Sequence, residues 1–103
     1  MQRLGRNDPL PEEMQGAWCV IDEPDSQLVI NGGKIVCFGK LVDYDFKLIN
    51  QVAGAITVSL KIDDPTNEDT FQRANITELV ITPDGEFHAY NVKFSSQFVH
   101  SVA

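Results

Sequence analysis

The side chains best suited to hold or transform a small molecule are few and scattered. His88 and Tyr90 alternate in "FHAYNVKF", and Tyr44 and Phe46 alternate in "LVDYDFKL". Residues two apart in an extended segment share one face of a strand. Aromatic bodies carrying a ring nitrogen or a hydroxyl suit an apolar cup with polar anchors. Tyr44, Phe46, His88 and Tyr90 are therefore the expected ligand-binding wall. His88 has a second reading, as a hydrogen-bonded histidine within the core. No nucleophile, base and orienting group converge in the sequence, so no catalytic residue is assigned and enzyme activity is not the expectation.

Other chemistries are weaker still. Asp43 and Asp45 would share a strand face and could share a cation, but Lys47 continues that face, which reads as a solvated side. Asp63, Asp64, Glu68 and Asp69 make an acidic loop without the central glycine or the spacing of an EF-hand. His88 and His100, the two histidines, have no metal-ligand motif around them. Cys19 and Cys37 are far apart and read as small core hydrophobes. "NGG" at Asn31–Gly33 lacks the lysine and helix of a phosphate loop. No metal and no cofactor are expected.

The 103 residues suffice for one domain, and a hydrophobic fraction of 43% can supply its core. Eight Lys plus Arg against fifteen Asp plus Glu leave a formal charge of -7, which repels phosphate backbones and excludes a nucleic-acid partner. No apolar run reaches transmembrane length, and the start "MQRLGRNDPLPEEM" has no signal-peptide stretch. The expectations are no membrane partner and a cytoplasmic location.

The elements that must position these residues are strands. Lys40–Ile62 sets Val42, Tyr44, Phe46 and Leu48 against Asp43, Asp45 and Lys47, then Ile56, Val58, Leu60 and Ile62 against Thr57, Ser59 and Lys61. Joined through "NQVAG", the halves predict a central antiparallel hairpin. Gln27–Ile30 and Lys34–Phe38 predict another around "NGG", with Leu28, Ile30, Ile35 and Cys37 on one face. Ala17–Ile21 predicts the first strand, and "TPDGE" a turn into Phe87–Phe94. Phe71–Thr82 alternates imperfectly: a bulged strand, or a helix in its first part. Residues 1–10 are expected as a flexible arm, with 11–103 a single β-barrel-like domain. The fold class is all-β: an antiparallel meander of about seven or eight short strands, bent into a closed or partly open barrel, with a short N-terminal helical turn at Pro11–Glu13.

"LPEEMQGAW", a helical turn followed by Gly16-x-Trp18, resembles the start of the lipocalin-like (calycin) barrels. That resemblance implies a tryptophan closing one end of the barrel against a distant basic residue and an apolar small molecule at the other. No arginine stands near the C-terminal strand; Lys93 is the nearest basic candidate. Two functions follow: binding of an apolar or weakly polar small molecule, or self-association as a homodimer through a sheet face.

Overall fold

Residues 1–93 and 95–101 are described by a computed structural model. The strands are β1 (Gln2–Gly5), β2 (Gly16–Val20), β3 (Glu23–Asn31), β4 (Lys34–Cys37), β5 (Lys40–Leu41), β6 (Phe46–Val52), β7 (Ala55–Lys61), β8 (Glu78–Ile81), β9 (Phe87–Tyr90) and β10 (Ser95–His100). One helix, α1 (Glu68–Ala74), and a 3-10 turn at Glu12–Met14 complete the regular structure of the described residues. All strands join one antiparallel sheet in the order β1-β6-β7-β8-β9-β10-β2-β3-β4-β5. The domain is thus all-β, a curled, partly open half-barrel. Of the expected strand Phe87–Phe94, Phe94 lies outside the described residues.

Tight turns set the register. Asn31 pairs with Lys34, Cys37 with Lys40 and Val52 with Ala55, leaving two-residue turns at Gly32–Gly33, Phe38–Gly39 and Ala53–Gly54. Phe38 and Gly39, like Ala53 and Gly54, all have positive φ, the requirement of a primed turn that preserves strand twist. The first turn places Leu28 opposite Cys37 and Ile30 opposite Ile35, all four buried, as the pattern around "NGG" predicts.

The turn at Ala53–Gly54 overturns half of the expected central ribbon. Ile56, Val58 and Leu60 point inward as expected. A five-residue "NQVAG" loop would set Leu48 and Phe46 opposite them. A two-residue turn shifts the pairing by an odd number, so Lys47 meets Leu60 and Ile49 meets Val58. Lys47 and Ile49 are consequently buried, while Phe46 and Leu48 are half-buried on the other face. The chain leaves strand geometry between β5 and β6, which is how Val42 and Tyr44 keep their inward positions despite the flip.

The Phe71–Thr82 stretch resolves in favour of helix for its first part. Glu68 and Asp69 occupy the first turn of α1 and Arg73 its last, each complementing the helix dipole, and Asp69 pairs with Arg73 at 3.2 Å. Phe71 is the buried residue of this helix, and strand resumes only at β8.

β5 and β6 stand far apart in strand order, yet only Val42–Asp45 separates them. Four linking residues span at most about 17 Å, so the sheet must curl until its two ends approach. A polar cluster fastens that approach. The Tyr44 hydroxyl donates to the Gly33 carbonyl and lies 3.2 Å from that of Arg6. The Lys47 ammonium donates to the Tyr44 hydroxyl at 3.1 Å and to the Gly5 carbonyl at 2.6 Å. Within the stretch expected as a flexible arm, Gln2–Gly5 pair with β6, and Leu10 N–H donates to Gly32. A Cβ at Gly33 would strike the Arg6 and Asp8 carbonyls, so only glycine permits this approach.

Tyr44 and Lys47 are almost completely buried. Burial holds the Lys47 pKa below its ordinary value, with Asp8 opposing; burial raises that of Tyr44, Asp8 adding to the rise and Arg6 countering it. Tyr44→Phe is expected to lower unfolding free energy by roughly 2–3 kcal/mol, because it orphans the Gly33 carbonyl and half-strips a buried ammonium. Lys47→Met should cost less, since it removes the charge that had to be desolvated. Denaturant titration of both variants and the double variant should show a combined cost below the sum.

Candidate functional site

The expected wall is not one surface. Tyr44 lies in the closure cluster, its hydroxyl already engaged. Phe46 sits on the opposite face of its strand, with the Arg3 guanidinium 3.8 Å from its ring centre. On β9 it is Phe87 and Ala89 that are buried; His88 and Tyr90 turn outward. His88 Nε2 lies 3.1 Å from Glu86 Oε1, and its ring stacks with that of Tyr90 at 6.2 Å. Asp43 and Asp45 diverge too. Asp43 pairs with Arg6 at 2.7 Å, and Asp45 accepts the Asp63 N–H at 2.9 Å.

In the acidic loop, Asp64 accepts from the Thr66 hydroxyl and N–H and from Asn67. The Thr66 bonds, hydroxyl first, hold its pKa below the ordinary carboxylate value. Among the described residues, no three His, Cys, Asp or Glu side chains are grouped to hold a metal, and no helix is long and apolar enough to cross a membrane. Trp18 is buried, donates from Nε1 to the Met14 carbonyl at 3.0 Å and meets Phe87 edge-on at 4.6 Å. The ring stacked over it is His100, at 3.8 Å; Lys93 instead lines a cleft elsewhere.

Among the described residues, three surface hollows bear on a binding site. One of about 470 Å³ adjoins the closure cluster, with Arg6, Asn7, Asn31 and Lys34 around buried Val42 and Tyr44, and Arg6 is already paired to Asp43. Another, of about 430 Å³, lies over the Ala53–Gly54 turn and Glu13. The third is smaller, about 240 Å³, and has the most apolar lining of these three. Its floor is made by core side chains, Cys37 from the end of β4, Val42 from the link and Ile76 after α1, all buried. Phe38 and Ala74 form apolar walls, and Lys40, Arg73 and Lys93 stand around it with Asn75 and Asn91.

Each element of this cleft has a local cause. The Phe38–Gly39 turn projects Phe38 outward, nearly half exposed, while its N–H donates to Gln27 at 2.7 Å. Asn91 fixes the opposite side. Its Nδ2 donates to the Gln72 carbonyl at 3.1 Å and to that of Asn75, and its Oδ1 accepts the Lys93 N–H at 2.7 Å. One amide thereby ties the end of α1 to the turn after β9. Burial pushes the Cys37 thiol up to about 11, so at neutral pH the floor is uncharged.

None of the cleft residues carries a sequence signal. Lys40, Arg73 and Lys93 are single cations on three separate elements, and Asn75 and Asn91 belong to no motif. Only the apolar character of Cys37 and Val42 is legible beforehand, from their parity with Ile35 and Tyr44. The chain matches no protein-family model, no curated protein and no solved structure.

Asn91→Ala removes three hydrogen bonds and should cost about 2 kcal/mol, with faster amide hydrogen exchange in α1 than in β7 as its signature. Cys37 supplies a pH test. Its folded pKa of about 11 lies above the ordinary 9.0, so the folded state retains a proton that the unfolded chain loses. Its contribution is complete below pH 9 and disappears as pH rises through 11, on the order of 2 kcal/mol. The stability gap between the protein and Cys37→Ala should shrink over that range in denaturant titrations.

Proposed function

We propose that the chain is a small-molecule binding module whose ligand enters the cleft between the β4–β5 turn, α1 and the turn after β9. The observation that supports this reading most strongly is the floor: Cys37, Val42 and Ile76 belong to the core, yet they line a hollow. Apolar surface facing such a hollow gains by excluding water, and a ligand tail would supply the packing that the floor lacks. A hollow of about 240 Å³ lies below the roughly 300–1,000 Å³ of drug-sized sites, which suits a smaller ligand. The barrel-like fold is compatible with such a role, since barrel mouths are common ligand sites. The wall expected from Tyr44, Phe46, His88 and Tyr90 has no part in this reading; His88 and Tyr90 lie on the outer face and Tyr44 serves closure.

Self-association is the second reading, and the open edges favour it. β1 and β5 end the strand order and each pairs on one side, and Val52 beside the β6–β7 turn is exposed. Unpaired edges are templates for a strand of another copy. A homodimer formed this way would leave the cleft open.

Titration with 1-octanol, followed by amide resonances of isotope-labelled protein, tests the first reading. Nine non-hydrogen atoms at about 0.4–0.6 kcal/mol each predict a Kd of about 0.1–2 mM. Shifts should centre on Val42, Ile76 and Asn91 and vanish in Ala74→Trp, which fills the cleft from an exposed helix position. Shifts spread evenly, or unaffected by that variant, would reject the cleft. Sedimentation analysis at several concentrations tests the second reading; a monomer throughout rejects it.

A further inference from the structure

We infer that the cleft selects organic anions, an acidic head group on a short apolar tail, through Lys40 and Lys93 at its rim. This inference rests on the cleft being a binding site and adds the chemical class of what it holds.

The distribution of charge carries it. The chain has eight Lys and Arg against fifteen Asp and Glu, yet three of those eight cations line this one cleft and no acidic side chain does among the described residues. The three cations arrive from different elements: Lys40 opens β5, Arg73 lies in the last turn of α1 and Lys93 follows β9. Arg73 is partly neutralised by Asp69 at 3.2 Å. Lys40 and Lys93 have no acidic partner among the described residues, and both are exposed, so neither ammonium is committed elsewhere.

Polarity is graded in the direction that such a ligand requires. The floor of Cys37, Val42 and Ile76 is buried and apolar, and the ammonium groups belong to exposed side chains. An alkyl tail would lie on the floor and an anionic head among the lysines, whose flexible stems can follow it without strain. The neutral thiol of Cys37 adds no negative charge beneath the head group. A cationic amphiphile would meet like charge at the rim, and a neutral one would gain only from the floor. The surrounding field remains negative, so discrimination must be local and should weaken as salt screens it.

The experiment compares three eight-carbon probes of one tail length, octanoate, 1-octanol and octylammonium, by amide resonance titration at low ionic strength and again at 0.5 M salt. Octanoate should bind at least about tenfold more tightly than 1-octanol, with shifts at Val42, Ile76 and Asn91, and octylammonium most weakly. The preference should fall several-fold at high salt and be abolished in Lys40→Met/Lys93→Met, which keeps both stems and both exposed positions. Circular dichroism of that variant should match the parent. Equal binding of octanoate and 1-octanol would overturn the anion inference while leaving the cleft as a site. An octanoate preference that survives the double substitution would also overturn it, because the charge would then act from elsewhere. If no probe shifts the cleft residues, the binding reading falls with it.

Discussion

The half-barrel depends on a contact between parts of the chain that the sheet itself cannot join. Tyr44 hydroxyl meets the Gly33 carbonyl on one side and the Lys47 ammonium on the other, and Lys47 reaches on to Gly5. Gly33 belongs to the turn between β3 and β4, near one end of the strand order, while Gly5 and Lys47 belong to β1 and β6 at the other. The contact therefore draws the two sheet ends together where no backbone ladder connects them. It also gives the buried ammonium two oxygen partners, without which desolvation would be prohibitive. Gln15 reinforces the same region, bonding through both ends of its amide to Gly32 and to the Leu10 carbonyl.

Closure at that place has a consequence for the remainder of the rim. Val42–Asp45 is drawn toward the closure cluster, which sets Val42 beside Cys37 as floor while Leu41 is left exposed. α1 then stands over the opposite side, with Phe71 buried and Asn91 bonding its end to the turn after β9. A cleft floored by core residues is what remains between two elements held from different directions. Two of its cations, Lys40 and Lys93, are exposed and form no ion pair among the described residues. Such cations, gathered around an apolar floor on so acidic a chain, are the basis for reading this rim as functional.

The tryptophan of the Gly16-x-Trp18 start occupies a different part of the molecule. It packs edge-on against Phe87, bonds to Met14 and is covered by His100. The curled antiparallel sheet is a generic barrel-like arrangement, and covering Trp18 with a histidine from the last strand follows from β10 pairing with β2, which sets His100 opposite Trp18. Lys93, the nearest basic candidate by position along the chain, lies at the cleft instead.

The sequence by itself determined what local chemistry controls: an all-β chain, the hairpin around "NGG" with Leu28, Ile30, Ile35 and Cys37 on its buried face, the turn at "TPDGE", and the inward row of β7. Period-two alternation and glycine's tolerance of positive φ act within a few residues, so they are visible in the string. Tertiary structure decided whatever depended on pairing between strands. The register after Ala53–Gly54 turned Lys47 inward and Phe46 outward, because a shift by an odd number of residues exchanges the two faces of a strand. Packing of Phe71 favoured helix over strand in a segment whose own preferences were balanced. The candidate site was the least legible feature, since Lys40, Arg73 and Lys93 become neighbours only after the sheet has curled. Cations separated by 33 and 20 positions leave no local pattern, and only the closure of the half-barrel brings them around one apolar floor.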